Sequence, residues 1–139
     1  MKKILVLDDD EDMLNLVKLT LEEAEYEVTI LSNPNEIYPV FYEYNPDLVI
    51  LDVHLKGVDG QAISRELKDL KEDAKVAVLL CSGDKEIAED LIESRAQGFL
   101  LKPFKKEELI SKVESILRSH ANTIIDLPTK NSFIKRVAS

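Results

Sequence analysis

Cysteine occurs once, glycine four times and histidine twice in the 139 residues, and each scarcity removes a class of function. The lone Cys81 has no partner for an internal disulfide, which fits a reducing compartment and excludes a disulfide-stapled secreted scaffold. Neither His54 nor His120 has a second histidine or a cysteine pair near it in sequence, so nothing supports a zinc site on ring or thiolate ligands. Gly57, Gly60, Gly83 and Gly98 are scattered as turn markers and form no phosphate-cradling glycine-rich loop. Long apolar runs are also missing. Met1-Lys2-Lys3 is followed only by Ile4-Leu5-Val6-Leu7 before acids begin, too short for a signal peptide, and no other stretch approaches a membrane span. Basic excess is absent too: 27 acidic against 18 basic residues give a net charge of −9, which argues against a broad basic face for nucleic acid. The expectation is a cytoplasmic protein with no membrane association and no direct nucleic-acid binding.

What is present is a globular composition, 45% hydrophobic and 32% charged, at a length that suits one domain. Strand-length apolar runs alternate with segments of helical period, the pattern of repeated βα units around a parallel sheet buried on both faces. Strands are expected at Lys3–Leu7, Glu27–Leu31, Leu48–Leu51, Val76–Cys81 and Phe99–Leu101. Helices are expected at about Met13–Ala24, Glu36–Tyr44, Gln61–Leu70, Ile87–Arg95 and Lys106–Ser119. In the first helix Met13, Leu14, Val17, Leu21 and Ala24 form one stripe, and Leu109, Ile110, Val113, Ile116 and Leu117 repeat it in the last. Pro39 should kink or shorten the second helix, because it removes a backbone donor. From His120 onward the amphipathic pattern fades, and His120 itself reads as solvated.

In an open parallel sheet, ligands collect at the carboxyl ends of the strands. There the first strand runs into Asp8-Asp9, the third into Asp52, the fourth into Ser82-Gly83 and the fifth into Lys102-Pro103. Three carboxylates in one cleft repel one another and raise at least one pKa unless a cation sits among them. Oxygen-only ligands favour Mg²⁺, which takes one or two carboxylates together with phosphate oxygens. An aspartate can accept a phosphoryl group covalently, and phosphoryl transfer needs little beyond positioning and charge neutralisation. Asp52 as nucleophile, Lys102 as point charge and Ser82 as hydroxyl donor would be sufficient.

Five stretches in order, Ile4 to Asp10, Pro46 to Asp52, Gly57-Val58-Asp59-Gly60, Leu80 to Gly83 and Gly98 to Phe104, resemble the receiver domain of two-component response regulators. The likeness is to a chemotaxis-regulator-like phosphoacceptor domain and covers about residues 1–119. It implies a flavodoxin-like (βα)5 fold with an open parallel sheet of order 2-1-3-4-5, helices on both faces, and a signalling domain rather than an enzyme. It further implies that Asp52 accepts a phosphoryl group from a sensor histidine kinase or phosphotransfer protein. Asp8 and Asp9, with Asp52 and the backbone carbonyl of His54, would hold Mg²⁺ or Mn²⁺. Ser82 would hydrogen-bond the phosphoryl oxygen, Lys102 would pair with it, and Phe99 would reorient with Ser82 as a switch. The Lys102-Pro103 bond would be cis. His54 and Asp84 occupy positions that influence how long the phosphoryl group survives. The face made by Ile87–Arg95, Phe99–Leu101 and Lys106–Ser119 would carry the output to an attached domain or downstream protein and could support a homodimer. Lys56 departs from the proline common before the first loop glycine.

Plainer readings stand beside these. Asp10, Glu11 and Asp12 are ordinary helix-start acids, whereas Asp8 directly continues a buried strand. Phe99 equally suits plain core, and Cys81 a small buried apolar residue. A rival function is a phosphohydrolase of the haloacid dehalogenase type with Asp8 as nucleophile. Asp8-Asp9-Asp10 meets its D-x-D opening, but Asp12 stands where that family has Thr or Val. A third is a pseudo-receiver that only binds partners, against which every site residue is present. Residues 120–139 read either as a frayed C-terminal extension or as a linker to a missing output domain. Asn122–Val137 loosely resembles the opening segment of diguanylate cyclase (GGDEF) domains, which would make the chain an excised receiver. That tail holds Lys130, Lys135 and Arg136 against Asp126, so the acidic excess belongs to the receiver-like part.

Overall fold

The computed structural model describes residues 1–70, 76–85 and 94–125. Five parallel strands form the central sheet: β1 (Lys3–Leu7), β2 (Glu27–Leu31), β3 (Leu48–Asp52), β6 (Ala77–Ser82) and β7 (Gly98–Leu101). A small antiparallel pair, β4 (His54–Leu55) and β5 (Val58–Asp59), follows β3. The helices are α1 (Glu11–Glu23), α2 (Ile37–Tyr44), α3 (Gly60–Leu70) and α4 (Lys106–Ile125), with a 3₁₀ turn at Pro34–Glu36. Sheet order is β2-β1-β3-β6-β7. With the β4–β5 hairpin left out of the numbering this is the order 2-1-3-4-5, and the fold is flavodoxin-like.

Alternation along the strands divides the core in two, because successive side chains point to opposite faces. Ile4, Val6, Leu48, Ile50, Ala77 and Leu79 pack under the α1 and α4 stripes, where Leu14, Val17, Leu21, Leu109, Val113 and Ile116 are buried. Leu5, Leu7, Val49, Leu51, Val78 and Leu80 pack under α2 and α3 with Ile37, Phe41, Ile63 and Leu67. With apolar layers on both faces, the polar continuations of the strands are left to the sheet's two ends.

Several boundaries differ from the sequence expectation. α1 starts at Glu11, because the Asp10 carboxylate caps it by accepting the Asp12 and Met13 amides at 3.0 and 3.2 Å. The second helix opens as a 3₁₀ turn capped by Asn33 and becomes α-helical at Ile37, so Pro39 lies in its first turn, where a missing donor costs little. The last helix does not stop near Ser119 but runs to Ile125, and His120 is half-buried on it rather than solvated. No glycine or proline interrupts residues 120–125, so nothing local ends the helix there. Of the helix expected at Ile87–Arg95 only Ser94 is described as helical, and the stretch 86–93 lies outside the described residues, as does the tail from residue 126. Among the described residues no helix is long and apolar enough to cross a membrane.

Candidate functional site at the carboxyl edge

Register brings the expected residues to one edge. Leu7 pairs with Leu51, Asp52 with Cys81, and Ser82 with Leu101. Asp8, Asp52, Ser82 and Lys102 therefore emerge side by side where the strands end. Asp8 is 4% and Asp52 7% exposed, Ser82 is buried, Asp9 is half-buried, and His54 and Asp84 are exposed.

Asp8, Asp9 and Asp52 each place a carboxylate oxygen within 4.8 Å of the others, the one cluster of metal-ligating type among the described residues. Lys102 reaches this cluster from the end of β7. Its Nζ lies 2.7 Å from Asp8 Oδ2 and 3.6 Å from Asp52 Oδ1. The ammonium is thus committed to Asp8 and only leans toward Asp52. Burial by itself would lower the Lys102 pKa, but the hydrogen bond and charge of Asp8, joined by the charge of Asp52, outweigh it and raise the value. Asp52 is raised mainly by burial, with Asp8 and Asp9 adding repulsion against the pull of Lys102 and of the His54 amide. One ammonium against three acids leaves negative charge uncompensated. Clustered carboxylate oxygens with no nitrogen or sulfur donor fit a hard, oxygen-seeking divalent cation.

Local backbone bonds hold this arrangement. The Asp10 amide donates to Asp8 Oδ1 at 3.0 Å, so Asp8 turns one oxygen to the α1 start and the other to Lys102. The His54 amide donates to Asp52 Oδ1 at 3.3 Å, and the Asp84 amide to Ser82 Oγ at 3.0 Å. Ser82 Oγ is an acceptor in that bond, which leaves its own proton for an incoming oxygen. The Lys102 amide donates to the Ser82 carbonyl at 2.8 Å, and the Lys102-Pro103 peptide is cis. Phe99 is half-buried and packs against the α2–α3 side of the core. Cys81 is buried, its thiol pushed up to about 12 by burial, and it serves as packing.

Two features went unread in the sequence. Gly60 reads there as a turn marker, yet it begins α3 directly beneath the acceptor strand. A Cβ on it would stand 2.3 Å from the Asp52 carbonyl oxygen and 2.8 Å from Val53 Cα, both backbone atoms. The β4–β5 hairpin is the other. Lys56 and Gly57, the latter at φ +71°, make its two-residue turn and let buried Leu55 pair with Val58 over the α3 core. A tight turn can thus form without the proline that Lys56 replaces.

The family model described as response regulator receiver domain matches residues 4–114. Regulatory protein VanRB from Enterococcus faecalis is 34% identical over 116 residues, covering 84% of this chain and 52% of VanRB, so the chain spans about half the length of that curated relative. The response regulator protein TrrA from Thermotoga maritima, solved in complex with Mg²⁺ and BeF, is 33% identical and superposes with a TM-score of 0.75 over 84% of this chain and 99% of that one. NtrX from Brucella abortus, solved in complex with ATP, is 30% identical with a TM-score of 0.81 over 92% of this chain and 30% of its own.

Proposed function

The chain belongs to the response regulator receiver domain family, and we propose from that premise that it takes a phosphoryl group onto Asp52 and thereby switches an output surface. The observation that carries this reading is the meeting of three carboxylates, one ammonium and one hydroxyl at the sheet edge, with Lys102 within reach of both Asp8 and Asp52. As a receiver domain it is a signalling domain. Its donor is a sensor histidine kinase or phosphotransfer protein, its readers are an output domain or downstream protein, and it works in the cytoplasm.

Receiver domains bind Mg²⁺ at an acidic pocket. In this chain Asp8, Asp9 and Asp52, with the His54 backbone carbonyl, would hold Mg²⁺ or Mn²⁺, as the oxygen-only cluster allows. The bound ion would supply neutralisation of charge on the phosphoryl oxygens. An Asp52 carboxylate oxygen attacks phosphorus, the donor's P–N bond breaks, and the departing imidazole nitrogen keeps the electron pair. Ser82 donates its hydroxyl proton to a phosphoryl oxygen while Lys102 neutralises a second. A group of charge near −2 in this cleft then draws the Ser82 loop inward, and Phe99 on neighbouring β7 turns with it. His54 and Asp84 at the mouth tune access of hydrolytic water. The face including β7 and α4 carries the signal onward, with a homodimer as one way to read it. Residues 120–139 serve as the extension or linker toward an output domain.

Acetyl phosphate with Mg²⁺ tests the assignment by intact mass. Wild type should gain one phosphoryl group and Asp52→Asn none. Uptake that survives Asp52→Asn and vanishes in Asp8→Asn would instead favour the haloacid dehalogenase type of chemistry. Absence of uptake in wild type would favour a partner-binding pseudo-receiver. Equal dephosphorylation rates in wild type and His54→Ala would remove His54 from the tuning role.

A further inference from the structure

Among the described residues β7 is an edge strand whose one neighbour is β6, and Lys102 directly follows it. Register is held firmly where one face of a strand is buried and the other exposed, since a one-residue slip then exchanges core for solvent. That device is weak here. Leu100 is buried, but Gly98, Phe99 and Leu101 are all half-buried. A slip of one residue would nonetheless carry Lys102 about 3.3 Å along the sheet and turn its side chain to the other face.

The segment just upstream of β7 supplies what the apolar pattern does not. Gln97 meets Val78 of β6 twice: its amide donates to the Val78 carbonyl at 2.8 Å, and its side-chain Oε1 accepts the Val78 amide at 2.7 Å. Val78 is fully buried, so losing that acceptor would leave a donor that water cannot easily reach. Matching both backbone groups of one residue selects a single register. Gln97 is steadied in turn by its Nε2, which donates to the Arg95 carbonyl at 3.4 Å. Further upstream, fully buried Ser64 of α3 donates from Oγ to the Ser94 carbonyl at 2.8 Å, and Arg95 pairs with Asp69 of α3. Residues 94–97 are thereby tied to both α3 and β6, well away from the acidic cleft.

We propose that Gln97, backed by Ser64, is a positioning residue that sets the register of β7 and so aims Lys102 at Asp8 and Asp52. Its effect on chemistry rests on the phosphoacceptor reading above; its effect on register does not. The test combines two measurements on the full chain: amide hydrogen exchange, and the rate of phosphoryl uptake from acetyl phosphate with Mg²⁺. Gln97→Ala should speed exchange at the Val78 and Lys102 amides while the Val53 amide, bonded to Cys81 between inner strands, keeps its wild-type rate. It should slow phosphoryl uptake about tenfold through misplacement of Lys102. Gln97→Glu keeps the acceptor oxygen on an exposed side chain but loses the Nε2 donor to the Arg95 carbonyl, and should restore most of both. Ser64→Ala should move the same amides by a smaller factor. In a Lys102→Met background Gln97→Ala should slow uptake no further, because two changes acting through one group do not add. Unchanged Lys102 exchange in Gln97→Ala, or equal slowing in both backgrounds, overturns the proposal. A wild type that takes up no phosphoryl group overturns the phosphoacceptor reading instead, and the exchange pattern then decides the register claim by itself.

Discussion

Asp47 and Asp52 bracket the same strand, and their surroundings are opposite in kind. At the amino end of β3, the Asp47 carboxylate accepts the Lys3 amide at 2.8 Å and its carbonyl accepts the Ala77 amide at 3.0 Å. The Lys3 ammonium sits 5.3 Å from the centre of the Tyr44 ring, and the Glu27 amide reaches the Lys2 carbonyl at 3.0 Å. Charge at that end is spread over backbone donors and a ring face. At the carboxyl end Asp52 is buried beside Asp8 and Asp9, with one ammonium shared unequally between two of the three acids. The amino end is settled by its own bonds, whereas the carboxyl end keeps a repulsion that a cation could relieve. Charges left opposed in this way are not the most stable arrangement that the residues of that edge could take.

Substitutions at each end should separate stability from chemistry. The largest effect is expected from Gly60→Ala, whose Cβ would collide with the Asp52 carbonyl. A loss of about 3 kcal/mol in urea unfolding is expected, with phosphoryl uptake lost alongside. A stable, active variant would break the claim that α3 is seated against the acceptor strand. At the amino end Asp47→Ala removes the acceptor of the Lys3 amide and should cost about 1.5 kcal/mol while leaving phosphoryl uptake at the wild-type rate. Slowed uptake there would blur the distinction between the two ends.

Asp52→Asn should act in the opposite direction, stabilising the metal-free protein by about 1 kcal/mol near neutral pH as it removes a buried, crowded charge. The pH dependence gives a sharper check. The folded-state pKa of Asp52 is raised, so the folded protein binds that proton more tightly than the unfolded chain and gains stability as pH falls through the raised value. The advantage of Asp52→Asn over wild type should therefore shrink on acidification in paired urea melts. A constant gap would mean that the charge costs nothing. The smallest effect belongs to neither end: Lys18→Ala breaks an exposed i,i+4 pair with Glu22 at 2.9 Å and should change stability by less than about 0.5 kcal/mol.

The strands were legible because apolar runs bounded by acids, glycine and proline carry their own signal, and all five expected strands reappear within one residue at each end. The carboxyl-edge residues were legible because each directly continues such a run. Asp10 read as one of three helix-start acids for the same local reason, and the structure makes it the cap of a helix that starts at Glu11. The misses share a different cause. Gly60 resembles any loop glycine until the backbone above it is known. The β4–β5 hairpin depends on Leu55 and Val58 finding the α3 core, which four residues of sequence cannot announce. The final helix outlasts its stripe because absence of a breaker, rather than presence of a pattern, carries it to Ile125. Gln97 carries no motif at all, and its two bonds to Val78 exist only once β6 lies beside it.

By itself, then, the sequence determined the order of βα units, the two apolar faces and the kinds of group that end each strand. All of these follow from periodicity and from neighbours in the chain. Tertiary structure alone decided that Lys102 binds Asp8 more closely than Asp52, that Gly60 rather than any larger residue fits beneath the acceptor, and that β7 has one register. Those outcomes depend on distances between segments up to 94 residues apart, and hydrogen bonds and charges respond to such distances far more steeply than hydrophobic patterning does.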